Sequence, residues 1–298
     1  MANTLSVSGL TDYINVHKDE LFIKSTLGVK SLDYIEIMPN VKFKDSLNYL
    51  DSDVVVLQDG SVCGWNPAGT DVFTQKEIET KAVKVEKEFC WKDFEKKYMN
   101  YQLLWEAGRE KLPFEEKIAQ SNMNAIQDEV EKLIWQGSSA VTISGLTQLI
   151  AAESAAIDAE FNSGQTATDK VDSLVANIPM EALKKGVNLF MSYSDFRQYI
   201  AESNAGCCAN RPIVDANVET LKYFGDSRIT LVPVYGLEDT GFMVAAPEDA
   251  LVYATDVENA EKTYRLWFDE KEEKFMFRVL FRAGNAVKLP WQVVYGQA

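Results

Sequence analysis

The chain is poor in the residues that carry most enzyme chemistry. Its one histidine, His17, sits between Val16 and Lys18 with no flanking acid to orient an imidazole. It reads as a solvated surface side chain, not as the activator of a cysteine nucleophile. The four cysteines, Cys63, Cys90, Cys207 and Cys208, are too few and too irregular for a disulfide framework. The adjacent pair Cys207-Cys208 bridges only with strain, no CxxC occurs, and zinc needs more ligands at better spacing. Reduced structural thiols are therefore expected. No run of eighteen apolar residues exists, which excludes a membrane-spanning helix. The opening MANTLSVSGLTDYINVHKDE lacks a basic start followed by an apolar core, so no secretory signal is expected and the protein is expected to stay in a cytoplasm. Neither GxxxxGK[ST] nor a strand–GxGxxG–helix unit is present. The formal net charge of -15 excludes a tight or sequence-specific nucleic-acid binder, which needs a basic footprint.

What is there is an ordinary folded composition, 46% hydrophobic and 25% charged over 298 residues, enough for one large domain or two to three lobes. The clearest pattern lies near the C-terminus. Tyr264, Leu266 and Phe268 alternate with Arg265 and Trp267. After the polar turn Asp269–Lys274, Phe275, Phe277, Val279 and Phe281 alternate with Met276, Arg278, Leu280 and Arg282. Period-two alternation of this kind predicts half-buried strands.

Residues 1–35 carry only short apolar patches, such as Leu21-Phe22-Ile23, and read as an arm that orders against something else. Ser31–Met38 and Ser52–Gln58 look extended, with turn signals at Asp59-Gly60 and in VCGWNPAG. Val72–Phe89 is long and charged. Ile78, Thr80 and Ala82 share one parity and Val83 and Val85 the other, which predicts a bulge or a change of face near Ala82-Val83. Such strands suit a projecting hairpin that leans on a neighbour.

Trp91–Trp105 is helical by pattern. The strongest helix begins at Pro113 with Glu115 and Glu116 in its first turn, and Gly137 stops it. Phe114, Ile118, Ala125, Ile126, Val130, Leu133 and Ile134 form its apolar stripe, and Pro113–Gln136 spans about 36 Å. A short helix over Thr142–Ala151 and an apolar run Ala155–Phe161 precede a boundary at Asn162–Thr166. Beyond it a helix Thr168–Asn177, a buried strand Val187–Met191, a helix Ser194–Glu202 and a strand Arg228–Val234 make a compact α+β lobe.

No group of these residues converges on catalysis. Glu115-Glu116 and Glu272-Glu273 read as first-turn and hairpin solvation rather than paired acid and base. Asp51, Asp53 and Asp59 lack the glycine and closing glutamate of a calcium loop. Gly206 lies in the turn-like NAGCCANRP. Trp65, Trp91, Trp105, Trp135, Trp267 and Trp291 lack interleaved Lys and Arg, so they read as core and interface anchors rather than base-stacking platforms. No catalytic, cofactor-binding or metal-binding residue is assigned, and no enzyme activity is expected.

Taken in order, several stretches resemble the major capsid proteins of tailed bacteriophages with the Hong Kong 97-type fold. VKSLDYIEIMPNVKFKDSLNYLDSDVVVLQDG through FTQKEIETKAVKVEKEFCWKDFEKKY resembles the extended loop of that family. PFEEKIAQSNMNAIQDEVEKLIWQG resembles its spine helix, ALKKGVNLFMSYSDFRQYI a stretch of its axial domain, and the C-terminal hairpin its peripheral-domain sheet. The resemblance implies an α+β chain with an N-terminal arm (1–35), an extended β-hairpin loop (36–89), a peripheral domain (90–165) with spine helix 113–136, an axial domain (166–245), and peripheral-domain strands with the C-terminus (246–298). It also implies a head protein that self-assembles as hexamers and pentamers into an icosahedral shell around double-stranded DNA, contacted non-specifically by an acidic wall. Separate scaffolding, portal and head-completion proteins are the implied partners, with no membrane, and the virion, assembled in the host bacterial cytoplasm, is the implied location. No long helical, charged scaffolding segment is read before the arm, so scaffolding is expected from a separate protein, or such a segment was removed or never there. Lys76, Lys81, Lys84 and Asn285 match no cross-linking pattern, so covalent cross-linking is not expected. An encapsulin-like shell of the same fold, housing cargo enzymes, is one alternative. A soluble α+β enzyme is another, which a small monodisperse species in solution would favour.

Overall fold

The structure is a computed structural model that describes residues 27–52, 71–90, 114–162, 164–205, 219–256, 264–269, 271–272 and 274–297. The expected helix at Trp91–Trp105, His17, Cys63, Cys207 and Cys208 lie outside those residues, as do the turns at Asp59-Gly60 and NAGCCANRP.

Two sheets and one long helix organise the described chain. The helix, α1 (Phe114–Trp135), is 22 residues, about 33 Å at the usual rise. It forms where the apolar stripe predicts, with Ile126, Val130, Leu133 and Ile134 buried. It ends where Gly137 adopts φ 74°, a left-handed conformation that strains any residue with a Cβ. A hairpin of β5 (Gly137–Ser138) and β6 (Ile143–Ser144) follows, then α2 (Leu146–Ala152).

The first sheet has β14 (Lys274–Val287) as its axis. Along one edge β14 pairs antiparallel with β12 (Leu251–Asp256) and with β13 (Tyr264–Asp269), and along the other with β4 (Lys81–Cys90). β1 (Glu36–Met38) adds to β12 in parallel. The predicted alternation in β14 holds: Phe275, Phe277, Val279 and Phe281 are buried and Arg278 and Leu280 are exposed. The hairpin read from sequence is thus part of a five-stranded sheet with β14 at its centre.

A second, six-stranded sheet has the order β7 (Ile157–Asp158), β15 (Val294–Gln297), β11 (Phe242–Ala246), β8 (Val187–Met191), β10 (Ile229–Pro233), β9 (Leu221–Lys222). β8 and β10 are parallel, joined through α5 (Tyr193–Ala205). Their sequences are continuous apolar runs because both faces are covered. Phe190, Val232 and Val244 face the core shared with α1, whereas Leu189, Leu231 and Met243 face the core under α3 (Ala167–Ala176) and α5. A capping box between Thr166 and Asp169 starts α3 at the boundary expected from composition. The short α4 (Met180–Lys185) and the return of β15 to this sheet have no counterpart in the sequence reading.

Three expectations change. The run Val72–Phe89 is two strands in two sheets: β3 (Asp71–Glu79) pairs with β2 (Lys44–Ser52), and β4 pairs with β14. The change of partner falls at Thr80, two residues before the expected slip. Thr80 is buried, its amide donates to the Phe43 carbonyl at 2.8 Å, and its hydroxyl donates to Val41 at 2.9 Å. β4 therefore belongs to a core sheet, because Val83 and Val85 meet Phe281 and Val279 across the ladder. The root of the β2–β3 hairpin also packs on its own chain: Leu47 and Ile78 close over Val252, Ala254 and Ala286. Finally, the last part of the expected arm is core, with Val29, Leu32 and Ile35 all buried.

Candidate assembly surfaces and a buried carboxylate

Among the described residues, those that sequence reading weighed for chemistry do not come together. Among the described residues no three His, Cys, Asp or Glu side chains are placed to hold a metal. Cys90 is a half-buried free thiol at the end of β4. Glu272 pairs with Lys274 at 3.6 Å in the β13–β14 turn. Trp135 is fully buried, Trp291 packs tilted against Tyr49 of the hairpin with ring centroids 5.0 Å apart, and Trp267 is partly exposed beneath the Arg278 guanidinium. Trp65, Trp91, Trp105, Asp53 and Asp59 lie outside the described residues, as do the side chains of Asp51, Glu115 and Glu116.

What the fold does present is exposed apolar side chains set on charged faces. The β2–β3 hairpin has two unlike faces. Leu47, Tyr49, Lys76 and Ile78 turn inward, and Lys76 reaches Glu153 and the Val287 carbonyl. Lys44, Asn48, Phe73, Gln75, Glu77 and Glu79 turn outward, with Phe73 66% exposed. At the hairpin base Phe43 is 69% exposed while Arg282 covers one face of its ring at 4.3 Å. An exposed phenylalanine on a charged ribbon is unfavourable in an isolated molecule and becomes favourable when a partner covers it.

The outer face of the first sheet is a charged lattice with an apolar inlay. Arg278 pairs with Glu86 at 2.7 Å and Lys274 with Glu88 at 2.9 Å, around partly exposed Trp267 and Leu280. Between β4 and α1 runs a groove of about 500 Å³, floored by Val83, Val85, Ile126, Val130 and Phe281 and rimmed by Lys84 and Lys132. The outer edge of β4 has no strand partner among the described residues.

The lysines and asparagine weighed for cross-linking are each committed elsewhere. Lys81 donates to the Thr142 carbonyl at 2.7 Å, Lys84 to Glu86 at 3.0 Å, and the Asn285 amide to Leu133 and Ser144 carbonyls at 3.2 and 3.0 Å.

One polar residue escaped the sequence reading. Glu131 lies in the buried stripe of α1 with only 7% of its surface exposed. Its carboxylate accepts the Ser31 hydroxyl at 2.8 Å, and Ser31 in turn accepts the Trp135 indole N–H at 2.8 Å. Burial pushes the Glu131 carboxyl above the usual glutamate range, against the opposing pull of Ser31, the Tyr235 amide and Lys30. The signal was its position between Val130 and Ile134, inside the stripe rather than on the wet face.

Against known proteins, no family model and no curated sequence matches the chain. Solved structures do. A chain of Microbacterium phage Oxtober96 is similar at TM-score 0.56 and 9% identity, covering 90% of each chain. The virus-like particle from Pyrococcus furiosus gives 0.53 and 10% identity over 95% of this chain and 98% of that one. The satellite phage P4 procapsid including the size determination (Sid) protein gives 0.53 and 10% identity over 96% and 98%. The chain has the Hong Kong 97-type capsid fold.

Proposed function

We propose that the chain is the major capsid protein of a tailed bacteriophage, assembling with copies of itself as hexamers and pentamers into an icosahedral head around double-stranded DNA. The observation that carries this reading is the end-to-end character of the likeness: chains from phage particles match over at least nine-tenths of both partners. No large inserted domain distinguishes this chain from a shell subunit. The outward face of the β2–β3 hairpin, the exposed Phe43 and Phe73 and the apolar groove beside β4 supply the unlike surfaces that a lattice of heterologous contacts requires. The role is structural rather than enzymatic, and the location is the virion after assembly in the bacterial cytoplasm.

On this reading residues 1–35 extend toward a neighbour, with 27–35 anchoring that arm. Residues 90–165 with β12–β14 and β4 form the peripheral domain, and residues 166–245 with β15 the axial domain. The acidic charge of -15 keeps packed DNA from adhering to the wall, so contact with DNA is non-specific. Scaffolding, portal and head-completion proteins complete the assembly.

A second reading has its own support: the Pyrococcus furiosus virus-like particle matches as fully as the phage chains do. It is a cellular, encapsulin-like shell of the same fold that houses enzymes. The two readings differ in contents. Particles recovered from the native source are expected to hold nuclease-protected double-stranded DNA of uniform length. Particles filled with one or a few proteins and free of DNA would favour the cellular shell.

A further inference from the structure

We propose that Glu131 is a proton-responsive fastening that holds the turn Lys30–Tyr34 onto the long helix α1. Three segments meet at this carboxylate. The 3-10 turn Lys30–Tyr34 contributes the Ser31 hydroxyl, α1 contributes Trp135 through Ser31, and the turn Tyr235–Leu237 lies beside them, its Tyr235 amide favouring the ionised carboxyl. The same 3-10 turn is flanked by Val29 and Ile35, which with Leu32 insert into the main core, so the fastening and this packing hold one segment. Gln127 adds a hydrogen bond to the Gly28 carbonyl at 3.1 Å, but that bond carries no charge.

The charged surroundings of Glu131 do not neutralise it. From the turn, Lys30 approaches but spends its ammonium on the Glu219 carbonyl at 3.0 Å and the Tyr193 ring and hydroxyl. From α1 itself, Asp128 repels it, and Lys132 is turned toward the Tyr235 ring at 5.3 Å and Glu129 at 3.3 Å. From α5, Tyr193 is a neutral phenol whose own ionisation burial and the two glutamates oppose. Glu238, at the end of the 235–237 turn, accepts the Tyr193 amide at 3.1 Å. Among the described residues the carboxylate thus has a donor in Ser31 but no dedicated cation.

Burial accordingly raises its affinity for a proton in the closed state above that in an opened, solvated state. Closing the turn takes up a proton. The fastening is tightest below the ordinary glutamate range and loosens as pH rises through the raised value. The neutral acid still accepts the Ser31 hydroxyl, so protonation removes the desolvation penalty without removing that bond.

Amide hydrogen exchange of residues 27–35 in the full-length chain tests this, with wild type and Glu131→Gln measured in identical buffers from about pH 5 to about pH 8 so that intrinsic rates cancel. Gln keeps the acceptor and cannot titrate. The exchange-rate ratio of wild type to variant is expected to climb with pH, by at most about tenfold per pH unit, the one-proton limit. A ratio that stays flat or falls overturns the proposal. Should Glu131→Gln fail to fold, Ser31→Ala substitutes for it. Losing one donor to the carboxylate moves the rise in exchange to higher pH than in wild type, and an unmoved rise overturns the proposal equally.

Discussion

Gly284 is where the hairpin root crosses the long central strand. A Cβ there would sit 2.3 Å from the Glu79 carbonyl oxygen, so β14 passes under the end of β3 with a backbone contact that no other residue permits. Gly284→Ala is expected to destabilise the subunit by about 1–3 kcal/mol through overpacking. It should lower the urea midpoint with an unchanged slope, and an unmoved midpoint would mean that the crossing is looser than described. Glu202 gives a second test at this scale. Although burial opposes ionisation, hydrogen bonds from the Thr168 amide and from Gln198 hold its carboxyl below the usual glutamate range while it caps the start of α3. Its stabilising contribution is present above the unfolded-state value and is lost as pH falls through the lowered one. Glu202→Gln should therefore flatten the acid side of the melting-temperature profile and leave the neutral side nearly parallel. Neither residue announced itself in sequence. A glycine within AGNAV and a glutamate late in a helix gain meaning only from what tertiary folding places opposite them.

At the level of elements, the periodic ones were legible. α1, β14 and α5 lie where their stripes and alternation put them, because one buried face per element is enough to write a pattern. The misreadings arose where both faces are covered or where the partner is remote. β12 is buried on both sides, Leu251 and Tyr253 toward the main core and Val252 and Ala254 under the hairpin root, and this second covering erased the sign of a loop lying on its own body. β4 looked like a charged projecting strand because Lys84, Glu86 and Glu88 dominate its composition, yet its other face fills a core groove. Two predictions belong here. Val130→Asp places an unpaired charge in the buried stripe, which costs several kcal/mol, comparable with the whole stability of a domain. Loss of soluble protein and of a cooperative melt is expected, and normal yield would mean that the stripe is exposed. For the loop, bridging Ser52 to Asp71, the last paired residues of the hairpin, with a short Gly-Ser segment should leave a folded subunit, because loop closure depends weakly on length. Extending the deletion to Lys81 removes buried Ile78 and Thr80 and should unfold it. Circular dichroism of both variants decides, and an unchanged spectrum for the longer deletion would return the hairpin root to the surface.

For the whole molecule, the unlike outward surfaces are what the proposed assembly rests on. The hairpin's outer face, with Phe73, and the groove beside β4 are different surfaces, so on the proposed function contact between them would join copies head to tail and not in closed pairs. Head-to-tail contacts close into rings, and rings of two sizes close a shell. Negative-stain electron microscopy of the purified full-length chain, over a range of protein and salt concentrations, tests this claim most directly. Closed rings or icosahedral shells of defined diameter are predicted. A stable monomer at every concentration, with no particle on the grid, would contradict it.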